Sequence, residues 1–436
     1  MSTFLYEWKT QLSEYSRNIR LFFLFNFVWN FGLGMFSLVY NLYIRALGYE
    51  QTMVGHLVGV TAIAAALILI PAGMMNDKYG SKRMVAFGLF GVVAAYSARA
   101  LWVTGEGLLI TSFLGGIAGA IVSATVLPFM ANNSTPAQRV HLFSFNMALV
   151  MFANVIGNML GGFLSDLFEH ALGMSAAGGL QLTLLIGVGT AAMGLIPVLM
   201  YGPDRGEAKV VRADGGGSGA GGKADQGQAR LWQWQRLSPV QRSSLQVIGL
   251  FALLSLLSST AGGMIIPYLN VYFEDRFDVS TTMIGFIVSL GQGATALAFL
   301  LGPSIARKLG DARAVVVPQL SSIPFMLLTA YTTNLLLATG GYLLRQALMN
   351  AANPFYSSIK MKYVDRSMRG LASSSGEAMF NLGWFLASPI STGLVAGYGA
   401  YYGYAYAFTI TAVVYTSISI LFYFFFVRKE RFREVE

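Results

Sequence analysis

Two ionisable side chains lie deep inside long apolar runs: Arg345 in LLLATGGYLLRQALMNAANPFYSS and Glu377 in SSSGEAMFNLGWFLASP. A charge placed in hydrocarbon is costly, so such a group either satisfies a partner or does work on a solute or a proton. Glu377, Asn381, Trp384 and Ser388 follow one another at spacings of 4, 3 and 4, which sets them on one polar-aromatic stripe of a helix. Gln346, Asn350 and Asn353 form a second stripe beside Arg345, and Pro354 loosens the helix just after it. Arg345 lies about ten residues into its run, ~15 Å at 1.5 Å per residue. Glu377 lies about as deep from the opposite side, so antiparallel neighbours could bring the pair together as a structural ion pair. The other reading gives them substrate or proton binding, with Glu377 the proton carrier, since it is the only carboxylate well inside a run. Asp166 lies near the end of its own run. Arg45 and Arg99 are near enough to run ends to snorkel and are read as anchors.

More amides and hydroxyls punctuate the apolar runs: Asn26, Asn30, Ser37 and Asn41; Asn146, Asn154 and Asn158; Ser255, Ser258, Ser259 and Asn270; Gln292. Amides in membrane helices serve as interhelical glue as readily as they touch cargo. Asn26, Asn30 and Asn270 are carried forward as candidate cargo contacts together with Gln346, Asn350, Asn381 and Trp384.

The elements that must position these groups are legible from composition. Of 436 residues 55% are hydrophobic and only 11% charged, too little charge to cover a soluble protein of this length. Apolar runs of about 20 to 27 residues each suffice to cross ~30 Å of hydrocarbon. They fall at 20–47, 51–75, 82–104, 107–131, 139–168, 177–201, 244–273, 280–306, 313–333, 335–360, 368–396 and 401–427. No strand-like alternation supports a barrel, so the expected class is an all-α membrane protein of twelve transmembrane helices. With both termini in the cytoplasm, every one of the 29 Lys and Arg except Arg45, Arg99, Arg276 and Arg345 falls on a cytoplasmic segment, which fixes the expected topology in the cell membrane. The net charge of +9 is spread over short loops rather than gathered on one face, which argues against nucleic acid. Absence of cysteine excludes disulfide and thiolate chemistry. His56, His141 and His170 are scattered, and no P-loop or metal-ligand spacing occurs, so no cofactor, metal or enzyme activity is expected. The first run has no small-residue cleavage site and reads as an uncleaved anchor.

The rhythm breaks once. Residues 203–242 contain DGGGSGAGGKADQGQ, a flexible linker, followed by RLWQWQRL, whose Trp232 and Trp234 suit a headgroup surface. On either side the chain repeats. Gly34, Met35, Asn41 and Tyr43 recur as Gly263, Met264, Asn270 and Tyr272; Met53 and Gly55 as Met283 and Gly285; Pro128-Phe129 as Pro354-Phe355; Arg139 as Arg369. The expected organisation is therefore two pseudo-symmetric six-helix bundles, 1–202 and 243–436, joined by the linker, an architecture suited to a rocking transporter.

Between the second and third runs stands PAGMMNDKYGSKR (71–83). Gly73, Asp77, Lys78, Gly80, Lys82 and Arg83 resemble the signature loop of the major facilitator superfamily, with Ser81 inserted before the basic pair. GPSIARKLGDAR (302–313) is a degenerate counterpart that keeps Arg307, Lys308 and Gly310 but has no acid aligned with Asp77. The resemblance, covering essentially the whole chain, implies helices 1, 4, 7 and 10 around a central cavity, with 2, 5, 8 and 11 flanking it. It also implies that Asp77 meets the N-terminal end of helix 11, worth ~0.3–1 kcal/mol, only when the cytoplasmic side is shut. Gly73 lets helix 2 come close to the other half; ANNSTPAQR after helix 4 carries no acid, so a charge relay there is either incomplete or uses Arg139 directly. ANVIGNMLGG (153–162) resembles the antiporter signature of the superfamily, keeping Gly157, Gly161 and Gly162 but with Asn158 in place of proline. These small residues should pack helix 5 tightly against the opposite half. The expectation is a monomeric secondary transporter that exports a small amphiphilic molecule against protons. The alternatives are an importer or facilitator of a polar or anionic solute held by Arg345, and a non-transporting receptor, which the retained motifs disfavour.

Overall fold

The structure, a computed structural model, describes residues 15–134, 136–202, 239–365 and 368–428. Its first half contains α1 (Arg17–Ala46), α2 (Gln51–Tyr79), α3 (Ser81–Leu101), α4 (Gly105–Asn132), α5 (Pro136–Asp166) and α6 (Ala176–Met193, continued by Leu195–Leu199). The second contains α7 (Pro239–Gly263, then Leu269–Phe277), α8 (Thr281–Leu309), α9 (Asp311–Tyr331) and α10 (Leu335–Ala351, then Asn353–Lys362). The remaining helical stretch, Arg369–Phe422, is two helices, because Gly399 at φ 75° and ψ 171° breaks it. These are α11 (369–398) and α12 (400–422). Gly403 folds back onto Val395 across that break. Twelve crossings result, in two six-helix bundles. Among the described residues ten helices are long and apolar enough by themselves; one of those ten is the α11–α12 hairpin, and α10 is too interrupted to qualify alone.

Starts and stops follow local chemistry. The side chains of Ser16, Thr104, Ser175 and Asn334 accept hydrogen bonds from the first free N–H groups of α1, α4, α6 and α10. Gly80 and Gly310, each the hinge from an even helix to the next, share φ near 80° (81° and 80°) and ψ of 150° and 153°, a region that only glycine enters freely. α7 begins at Pro239, inside the stretch expected as linker, since proline suits a helix's first turn. The rest of the linker, with Trp232 and Trp234, lies outside the described residues.

The break in α7 shows how a membrane helix survives interruption. Pro267 cannot donate, and the carbonyls released around it find side chains: Ala261 accepts from Thr411 Oγ1 (2.9 Å), Met264 from Ser391 Oγ (2.5 Å) and Pro267 from Asn41 Nδ2 (2.6 Å). The repeat also reappears as geometry. Tyr43 Oη donates to the Ala100 carbonyl at 2.9 Å, and Tyr272 Oη to that of Thr329 at 2.6 Å, each spanning 57 residues.

Candidate functional site

The two bundles meet at the end of the molecule opposite the α2–α3 turn; that turn marks the basic end, and the other is called the far end. Asn41 on α1 donates to the Pro267 carbonyl on α7, and Asn270 on α7 donates to the Leu38 carbonyl on α1, each at 2.6 Å. Arg45 pairs with Asp275 at 3.7 Å, Tyr404 Oη donates to the same carboxylate at 3.0 Å, and Gln51 donates to Tyr404 at 3.4 Å. Asp166, ending α5, accepts from the backbone N–H groups of Thr281 (3.2 Å) and Thr282 (2.8 Å), the free donors that open α8. Deeper, Ser289 Oγ donates to the Val155 carbonyl at 2.9 Å. These bonds between the bundles lie in the far half.

Glycine makes the close approach possible. A Cβ on Gly162 would strike the Thr281 backbone, and one on Gly285 would lie 2.6 Å from the Asn158 carbonyl. Gly157 and Gly161, expected to face the opposite half, instead lie against α1 at Phe31 and Met35. Helix rotation explains the difference: Gly161 and Gly162 are ~100° apart, so neighbours in sequence serve different partners.

The basic end is different. Gly73, expected to meet the other half, has nothing within 4 Å of where a Cβ would sit. Nearby Met74 is 62% exposed. Lys82 of the signature loop donates to the Tyr201 carbonyl at 2.5 Å, within its own bundle, and Lys78 lies 5.2 Å from the Tyr79 ring. Arg83 is exposed. The Asp77 and Arg139 side chains, and those of Arg307 and Lys308, lie outside what the structure describes.

Between the sealed far end and the basic end lies the candidate chamber, and α11 shows which way it faces. Gly376, Gly383 and Ala387 contact α7 or α10, while Phe385, Ser388 and Thr392 contact Gly55 or Gly59 of α2. Glu377 and Asn381 project between those two directions, toward the gap between the bundles, while Trp384 on the same stripe lies against Gly263 of α7. Ala378, Leu382, Leu386 and Ile390, all apolar, cover the outward side. Glu377 is exposed, Trp384 keeps a buried Nε1 without a partner, and Asn381 donates to the Glu377 carbonyl at 3.0 Å.

Arg345 and Glu377 do not form an ion pair; Arg45 at the far end does pair, with Asp275. The cation whose charge reaches Glu377 is Lys360, half-buried on the second segment of α10 and close to Gly376. Arg345 points into the second bundle, 3% exposed, beside Tyr342 on its own helix and Tyr415 on α12. Its Nη1 donates to Gln346 at 3.0 Å, while its Nε and Nη2 have no partner. Asn350 donates to Thr295 of α8 at 3.2 Å, and Asn353 to Asn350 at 3.2 Å.

Of the remaining amides, Asn26 binds two helices together and Asn30 turns back on its own helix. Asn26 donates to Asn146 across α1 and α5, and Asn30 donates to the Asn26 carbonyl at 2.8 Å. Asn270 belongs to the far seal. Arg99 is no snorkelling anchor: it is 4% exposed, donates to Ser112 O (2.9 Å) and Thr61 Oγ1 (3.0 Å), and stacks its guanidinium 4.5 Å from the Tyr96 ring. Sequence reasoning missed Lys360, Asp275 and the capping role of Asp166. Lys360 looked like one more cytoplasmic charge, and Asp275 falls just past the end of its apolar run; only Asp166, at the end of an antiporter-like helix, left a usable signal.

The family model of the Major Facilitator Superfamily matches residues 22–388 and 251–436. Multidrug resistance protein 1 of Bacillus subtilis is 28% identical over 139 residues, 32% of this chain and 36% of its own length. Quinolone resistance protein NorA of Staphylococcus aureus is 26% identical over 155 residues, 36% of this chain and 40% of its own. The chain thus spans well under half the length of these curated relatives. A crystal structure of a bacterial homologue of the human lysosomal transporter Spinster, inward-facing and unoccupied, superposes with a TM-score of 0.72 at 16% identity, covering 93% of this chain and 95% of that one. Two six-helix bundles, the signature loop at Gly80 and a match along the chain agree: the protein belongs to the major facilitator superfamily and is a multi-pass membrane protein.

Proposed function

We propose that this transporter exports a small amphiphilic molecule in exchange for protons by alternating access, and that the present conformation is open to the cytoplasm. The basic end, where α1 begins and α12 ends, faces inward on the positive-inside argument. The observation that carries the reading is the asymmetry of contact: a far end closed by reciprocal bonds, a basic end where Gly73 touches nothing, and the Glu377–Asn381 face between them. Support for export comes from the relatives named for multidrug and quinolone resistance and from the glycines of the antiporter-like segment. Glu377 carries the proton: it is a carboxylate in the chamber with Lys360 as a neighbouring cation. Protonation on one side and release on the other is how such a group couples a gradient to a two-state carrier. Residues 1–202 and 243–436 move as the two rocking units of a monomer.

The test is accumulation of a fluorescent amphiphile in inverted membrane vesicles. Uptake that requires an acidified lumen and collapses with a protonophore supports proton-coupled export. Uptake only into right-side-out vesicles would instead favour an importer or facilitator of an anionic solute, a reading to which the unpaired guanidinium of Arg345 gives weight.

A further inference from the structure

We propose that the Nε–Nη2 edge of Arg345 is a docking fork for a carboxylate on the transported molecule, so that the cargo is an organic anion with an apolar body. The inference rests on the transporter reading for its purpose but not for its chemistry.

The argument begins with what a buried guanidinium demands. Arg345 is 3% exposed and carries a permanent charge, and no carboxylate pairs with it among the described residues. Leaving such a charge without a counter-ion is strongly unfavourable. Arg99 in the first bundle shows how this chain settles a merely structural arginine: its Nη2 donates to both a carbonyl and a hydroxyl and its guanidinium lies against a ring face, so the Nε–Nη2 edge is already half taken. At Arg345 the pattern is different. Nη1 alone is tied, to the Gln346 amide oxygen, which fixes the plane of the group. The two unpartnered nitrogens, Nε and Nη2, are the pair whose N–H bonds point side by side and receive both oxygens of one carboxylate. A sphere such as chloride fits that edge less well than a planar oxyanion does.

The surroundings complete a site. The Tyr415 hydroxyl lies beside both Ser258 and Arg345, and it packs where a side chain on Gly262 would otherwise stand. Hydroxyls and an amide therefore rim the fork, and Tyr342 and Tyr415 supply aromatic surface for an apolar body. The fork also lies between two interrupted helices. α7 breaks just past Gly262–Gly263, and α10 breaks at Ala352, two turns from Arg345 toward the basic end. Interrupted helices border the binding sites of alternating-access carriers because their short segments reorient without breaking a continuous ladder. The edge is shut in this conformation.

The experiment uses the full-length purified protein in lipid nanodiscs, with benzoate as probe, benzamide as its neutral isostere and chloride as a spherical anion. Thermal unfolding is followed at increasing probe concentration. Benzoate should raise Tm saturably, while benzamide and chloride should not. Arg345→Gln should abolish the response. Arg345→Lys keeps the charge but loses the fork, and should weaken the apparent benzoate affinity about tenfold; it decides the matter if Arg345→Gln fails to fold. No benzoate response in the native protein, an equal response to benzamide, a response to chloride alone, or an unchanged response in Arg345→Lys would each overturn the proposal. Equilibrium binding needs no transport, so a failed vesicle assay and a failed fork remain distinguishable.

Discussion

Asn41 and Asn270 occupy equivalent places in the two halves of the chain and clasp each other's helices. Each donates to a carbonyl on the other's helix, Pro267 and Leu38, at the same 2.6 Å, and the two side chains meet at 3.3 Å. Donors and acceptors are separated by the same 229 residues (41 to 270, 38 to 267), so the internal repeat closes on itself as an isologous interface does. The clasp sits where the far end would have to part for the carrier to open outward.

Replacing both asparagines by leucine should therefore shift the carrier toward an outward-open population. Interhelical hydrogen bonds of this kind contribute ~0.6 kcal/mol each, so the shift should be several-fold. The chain has no cysteine, which makes the readout clean: a cysteine placed at Asn381 should label from the far side faster in the double variant. Unchanged labelling would mean the clasp does not limit opening.

Asp166 does at the far end what the signature loop is expected to do at the basic end, setting a carboxylate against the free N–H groups of a helix in the other bundle. Asp166→Asn should release ~0.5–1 kcal/mol of charge–dipole attraction, about a two- to fivefold change in the ratio of states. Asp166→Glu should restore part of it. The same labelling assay reports the change, and an Asn variant indistinguishable from wild type would remove Asp166 from the gate.

Gly162 and Gly73 form a contrasting pair. A Cβ on Gly162 would meet the Thr281 backbone, so Gly162→Val should destabilise the far-sealed state by ~1–3 kcal/mol and lower Tm. Gly73 touches nothing here, so Gly73→Val should leave Tm unaltered yet slow transport, because its crowding is felt only when the basic end shuts. A loss of Tm in Gly73→Val would contradict that assignment.

Glu377→Gln should abolish accumulation driven by a proton gradient while leaving exchange of cargo across the membrane intact. Lys360→Met, which removes the neighbouring cation, should move the pH dependence of transport without abolishing it. Both are read in proteoliposomes at a series of internal pH values. Full coupling in Glu377→Gln would take the proton away from this residue.

Much of this was legible from the chain alone. Length and continuity of the apolar runs determined twelve crossings, since backbone groups in hydrocarbon have no other way to be satisfied. The spacing of Glu377, Asn381 and Trp384 placed them on one face, and the repeat of Gly34 to Tyr43 in Gly263 to Tyr272 anticipated the paired geometry at Asn41 and Asn270. These are local properties, written in periods of 3.6 residues and in composition.

What the tertiary structure alone decided is which neighbour each side chain meets. Arg345 and Glu377 lie at compatible depths, yet one turns into its bundle and the other into the chamber, because ~100° of rotation per residue matters more than depth. Gly161 and Gly162 part company for the same reason. Asp275, Asp166 and Lys360 take their roles from groups on other helices, in two cases from the other half of the chain. Their meaning lies in the docking of helices, which no run of sequence contains.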